Sequence, residues 1–162
     1  MSKIAVNVIK LVICVVACLG AGFIGSMFTT PAIPSWYAGL IKPPFSPPNW
    51  VFAPVWTTLY ILMGVAAYLV WRKGIGEKRV FNALILFVVQ LVLNASWSLF
   101  FFGLKSPLSG MIIILILWVL ILLTLIQFYR VSRPASYLMI PYLLWVSFAS
   151  VLNVSIWILN PA

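Results

Sequence analysis

The sequence has no histidine and no aspartate, and its one acid is Glu77. Hydrolytic triads need a base such as His, usually oriented by an acid. Metal-assisted hydrolysis needs imidazole or carboxylate ligands. Proton-coupled exporters usually carry a carboxylate or His at membrane depth. Glu77 supplies none of these, because it sits among Arg72, Lys73, Lys78 and Arg79 and reads as a local surface ion pair. Cysteine is nearly as scarce. Cys14 and Cys18 are one helical turn apart, which disfavours a bridge, and no His completes a metal site. They read as packing residues, and no metal or cofactor is expected. Charge is also short: 7% of residues are charged and 65% hydrophobic, too little polarity for a water-facing surface.

Five long apolar stretches fill the chain instead, at about 4–28, 50–71, 80–102, 108–129 and 136–159. Each reaches the ~20 residues that a helix needs to cross a ~30 Å hydrocarbon core. The expected fold is therefore an all-α integral membrane protein, one domain built as a bundle of five transmembrane helices. The apolar run after Lys3 and Lys10 passes through Val15-Val16-Ala17-Cys18, loosely like a lipoprotein cleavage site, but continues to Phe28 and reads as an uncleaved span.

The ten basic residues fall on alternate connections. Lys3, Lys10, Arg72, Lys73, Lys78, Arg79, Arg130 and Arg133 share one side of a five-span topology; Lys42 and Lys105 lie on the other. The positive-inside rule then puts the N-terminus in the cytoplasm and the C-terminus outside. The net charge of +9 follows from this topology and from attraction to anionic headgroups, not from nucleic-acid binding.

Polar side chains in hydrocarbon must find partners, so their faces point into the bundle. Gln90, Asn94 and Ser98 recur at i, i+4, i+8 on the third span, with Trp97 beside Asn94. That face serves either interhelical hydrogen bonding or a ligand cavity. The second span places Trp56, Tyr60 and Gly64 one turn apart, and the fifth does the same with Trp145, Ala149 and Asn153. Trp50, Trp71 and Trp157 suit an interfacial belt. Trp56 and Trp145 lie deeper and suit the walls of a flat apolar pocket with few polar handles. On the first span Ala17, Ala21, Gly25 and, beside them, Cys18, Gly22, Ser26 form small faces, for a dimer seam or for packing within the bundle. Residues 29–49 form the one long connection, stiffened by six prolines and carrying Trp36, Tyr37 and Phe45. Its aromatics need cover, so it reads as a packed lid over the outer mouth.

Several blocks resemble a known family. Trp36, Tyr37, Leu40, Lys42, Pro43, Phe45, Pro47 and Pro48 are followed by Trp50, Phe52, Val55, Trp56 and Tyr60. This spacing strongly resembles the first loop and second helix of the translocator protein family, whose prokaryotic members are called tryptophan-rich sensory proteins. The likeness continues through Gln90, Leu91, Asn94, Trp97 and Ser98, and through Pro141, Tyr142, Trp145, Phe148, Ala149, Leu152 and Asn153. The resemblance implies a five-helix bundle, commonly a homodimer, whose cavity binds porphyrins such as protoporphyrin IX and, in some members, other apolar ligands. It implies that Trp56 and Trp145 are paired cavity tryptophans tied to light-dependent porphyrin breakdown. Tyr37 and Pro47 match loop positions near the ligand, Asn94 a polar cavity position, and Ala149 a small residue whose bulk affects binding; Trp97 joins the same site. Animal members carry a sterol motif after the fifth helix, which the ending Asn160-Pro161-Ala162 lacks.

The function expected is a membrane receptor or sensor for a porphyrin-like tetrapyrrole, with membrane lipid as its surroundings and no nucleic-acid partner. Lys42, the only base of the loop, is the expected partner of the macrocycle's carboxylates. A transporter of porphyrin or another apolar metabolite is the alternative.

Overall fold

The computed structural model describes residues 2–161. Its five helices are α1 (Lys3–Ala32), α2 (Phe52–Trp71), α3 (Lys78–Ser98), α4 (Pro107–Val131) and α5 (Arg133–Leu159). Local chemistry sets several ends. The Ser2 hydroxyl accepts from the Ala5 amide at 3.2 Å, opening α1. Ser106 accepts from Ser109 at 3.2 Å, with Pro107 in the first turn of α4. Gly74 turns the chain between α2 and α3 at φ +112°, a conformation that strains any side chain.

All five helices are long and apolar enough to span a bilayer. With the lipid-facing side chains they expose, the protein is an integral multi-pass membrane protein. Most boundaries shift by a few residues from the sequence reading, and two of the shifts change the architecture. The first helix runs to Ala32 with Pro31 inside it, so the connection is shorter than 29–49. Proline removes one hydrogen bond and one donor, but near a C-terminus the helix can close beyond it. Here the Ile33 amide reaches the Thr29 carbonyl at 3.1 Å. The third span ends in a π-turn over Leu99–Gly103, where the Leu104 amide bonds to the Leu99 carbonyl at 2.8 Å. The wider turn brings both Phe101 and Phe102 inward, and both are buried.

The helices close a ring in the order α1, α2, α5, α4, α3. Toward the connection between α2 and α3 the ring is filled by Met63, Val70, Ala83, Ile121, Phe128 and Met139. At the opposite end a second cluster joins Tyr37, Phe101, Phe102, Leu152 and Ile156. Part of the small face of α1 is used inside the bundle, while Ala17 and Ser26 are exposed. Gly22 lies against the Tyr60 ring, Gly25 against Ser98, and Cys14 and Cys18 are buried. Gly64 of α2 meets the backbone of Val15, a close approach of α1 and α2 that a small residue permits.

The connection between α1 and α2 packs as a cover at the loop end. Tyr37 is buried against Phe101 and Phe102, and Phe45 lies 6.3 Å from Phe148. Asn160 clamps it with two bonds, accepting from the Ile41 amide and donating to the Ile41 carbonyl, each at 2.9 Å.

Candidate functional site

Between the two packed ends lies a cavity of about 390 Å³, within the ~300–1,000 Å³ common for small-molecule sites. The spacings on the spans account for its walls. Phe52, Trp56 and Tyr60 recur along the inner edge of α2; Asn94 and Trp97 face it from α3; Trp145, Ala149 and Asn153 face it from α5. The π-turn adds Phe101 and Phe102, and Tyr37 reaches in from the loop.

Trp56 stacks on Tyr60 at 5.6 Å between centroids and meets Tyr142 edge-on at 6.3 Å. Trp97 stacks on Phe101 at 5.2 Å. Trp145 meets Phe52 at 6.0 Å and Phe148 at 5.5 Å. Such aromatic contacts hold flat walls at fixed angles, which favours a planar ligand.

Behind the walls runs a polar chain. The Tyr60 hydroxyl donates to Asn94 Oδ1 at 2.5 Å. Asn94 Nδ2 donates to the Tyr142 hydroxyl at 2.9 Å, and Tyr142 donates to Gln90 Oε1 at 2.8 Å. A second link ties Trp97 Nε1 to Asn153 Oδ1 at 3.2 Å, while Asn153 Nδ2 donates to the Pro107 carbonyl at 2.9 Å. The polar face of α3 therefore does both things left open in the sequence: it bonds helices together, and its Asn94 also lines the cavity.

The structure brings Tyr37, Trp56, Asn94, Trp97, Trp145 and Ala149 together around one space. Pro47 is not among the lining residues. Lys42 is also absent from the lining; its ammonium folds over the Tyr37 ring at 4.8 Å and donates to the Leu40 carbonyl at 3.2 Å. Burial raises the pKa of the Tyr37 phenol above its usual value, so the group remains neutral. Tyr142, the junction of the polar chain, was part of the resemblance but carried no expected role. Its position three residues before Trp145 on a helix is the signal that places both on one side.

A profile of the TspO/MBR family matches residues 14–158. The chain belongs to the TspO/MBR family. It is 48% identical over 155 residues to the tryptophan-rich protein TspO of Chlorobaculum tepidum, covering 96% of this chain and 98% of that one. The TspO of Archaeoglobus fulgidus is 45% identical over 154 residues, covering 95% and 99%. The human translocator protein is 48% identical over 86 residues, about half of each chain. Family membership supports a membrane sensor or transporter role, in keeping with a bundle that holds a cavity.

In this TspO/MBR bundle, Asn94→Leu is expected to lower stability by about 1–3 kcal/mol, because the buried Tyr60 hydroxyl loses its acceptor. Tyr142 retains Gln90 and is less affected. Adding Tyr60→Phe to Asn94→Leu should cost little more, since the orphaned hydroxyl is then gone. Thermal melting of the single and double variants in detergent checks this; strictly additive losses would mean that the two groups are not coupled.

Proposed function

We propose that this protein is a membrane receptor or sensor that binds a porphyrin-like tetrapyrrole in the cavity. The observation that carries the reading is the set of walls around the 390 Å³ space: Trp56, Trp97 and Trp145 with the amides of Asn94 and Asn153. Rigid aromatic faces suit a planar macrocycle, and a few fixed polar groups orient it. In this reading Trp56 and Trp145 also support light-dependent porphyrin breakdown, each able to give one electron to the excited macrocycle, so that the indole becomes a radical cation and the macrocycle a radical anion. Lys42 is occupied by Tyr37 and by loop carbonyls, so the macrocycle's carboxylates stay at the cavity's rim. The basic ends favour an N-terminus in the cytoplasm and a C-terminus outside. A homodimer would use lipid-facing side chains such as Phe81, Ile85, Val88 and Val92 of α3, which share one exposed stripe.

The test is quenching of tryptophan fluorescence by protoporphyrin IX in the dark. Wild type should give saturable quenching. Ala149→Phe, which fills the cavity from α5, should weaken affinity by about tenfold or more. Equal affinity in the two proteins would move the ligand out of the cavity. Transport is the second reading, supported by the family's translocator proteins; concentration of porphyrin into sealed vesicles would establish it.

A further inference from the structure

We propose that the gap between α1 and α2 is the entrance by which a ligand dissolved in the bilayer reaches the cavity, and that the part entering is uncharged. The proposal rests on the cavity's being a ligand site.

Leu19, Phe23, Ser26 and Thr30 recur at i, i+4, i+7, i+11 along one face of α1. All four line the cavity, yet all four are exposed on the outer surface, Phe23 by 69%. Ala53 and Thr57 of α2 are likewise both lining and exposed. Side chains that meet both the cavity and the outside border an opening. Farther along, Gly22 against Tyr60 and Gly64 against Val15 pinch the two helices together. The close backbone approach is thus at Val15, away from the loop end, and the slot lies on the loop side of it.

The slot is at membrane depth. Phe23 lies about 13 Å along α1 from its end at Ala32, at a 1.5 Å rise per residue. That is within one leaflet of a ~30 Å hydrocarbon core. The route from water is covered instead, by the Asn160 clamp on Ile41, by Tyr37 on Phe101 and Phe102, and by Phe45 on Phe148.

The rim is matched to lipid. Ser26 donates to the Phe23 carbonyl at 2.7 Å and Thr57 to the Ala53 carbonyl at 2.8 Å, so neither offers a free donor. No Lys, Arg or Glu lines the cavity among the described residues. A charge drawn through the slot would lose its water and gain no partner, which is costly. The ligand class that fits is planar, aromatic and uncharged over its buried part, with any acid groups left at the membrane surface.

The experiment uses the full chain in phosphatidylcholine vesicles and protoporphyrin IX dimethyl ester, an uncharged probe that partitions into lipid. Stopped-flow quenching gives association and dissociation rates for wild type, Ser26→Phe with Thr57→Phe, Thr30→Phe and Asn160→Ala. Both rim variants should slow both rates, the double variant by about tenfold, because a ring now obstructs the passage. Asn160→Ala, which loosens the loop, should leave the rates unchanged. Faster exchange in Asn160→Ala with unaltered rates in the rim variants overturns the proposal in favour of entry past the loop. A change in oligomeric size with unaltered rates also overturns it, because a second copy of the chain then covers the slot. Absence of saturable quenching even in wild type refutes the cavity reading itself and the entrance with it.

Discussion

Gly64→Leu is expected to separate α1 from α2 and lower the melting temperature by about 10 °C in detergent, a loss of roughly 3 kcal/mol at this chain length. A Cβ on Gly64 would stand 2.6 Å from Val15 Cα and 2.9 Å from Val15 N. Both are backbone atoms, so no rotamer change relieves the contact and the helix itself must shift. Overpacking a core commonly costs ~1–3 kcal/mol even where side chains can adjust. The displacement would also lift Gly22 away from Tyr60, whose hydroxyl anchors Asn94. The damage should therefore reach the cavity wall, and porphyrin quenching should weaken with stability. Gly20→Leu is the control: a Cβ there meets nothing within 4 Å, so melting should stay near wild type. An unchanged melting point for Gly64→Leu would mean that α1 does not pack on α2 at Val15.

What was legible in the sequence follows from which forces are local. The five spans were readable because hydrocarbon demands a continuous apolar run, whatever the tertiary contacts. The inward faces of α2, α3 and α5 were readable because the Asn94 amide is costly to leave in hydrocarbon without partners, and because Trp56 and Trp145 lie too deep in their spans for an interfacial belt. The π-turn was not, because Phe100-Phe101-Phe102 satisfies helix and π-turn alike and only the demand to bury two successive rings selects the latter. The use of the α1 small face was equally silent. Gly22 and Gly25 permit close approach, but Tyr60 and Ser98, far away in sequence, decide what approaches. Lys42 shows the limit most clearly. Its charge was evident, but its direction depends on the Tyr37 ring and two carbonyls that the folded loop brings within reach.

Trp145→Phe is expected to reduce light-driven porphyrin breakdown by more than about tenfold while leaving most dark binding in place. The structure makes this substitution a clean one. The indole N–H of Trp145 is buried and has no hydrogen-bond partner among the described residues, so removing it orphans nothing. A phenyl ring preserves the aromatic contacts with Phe52 and Phe148. What is lost is an oxidisable indole at the wall. Trp56 differs, because it lies against Tyr60 and Tyr142, which can return an electron to it. The aromatic neighbours of Trp145 are phenylalanines, which cannot, so an oxidised Trp145 would persist beside a bound macrocycle. Trp56→Phe should accordingly depress breakdown less than Trp145→Phe. The check is porphyrin absorbance under illumination, paired with dark fluorescence titration of each variant. Equal loss of binding and breakdown in Trp145→Phe would assign Trp145 to the wall alone, and breakdown that survives in both variants would place the photochemistry on the porphyrin without the protein's indoles.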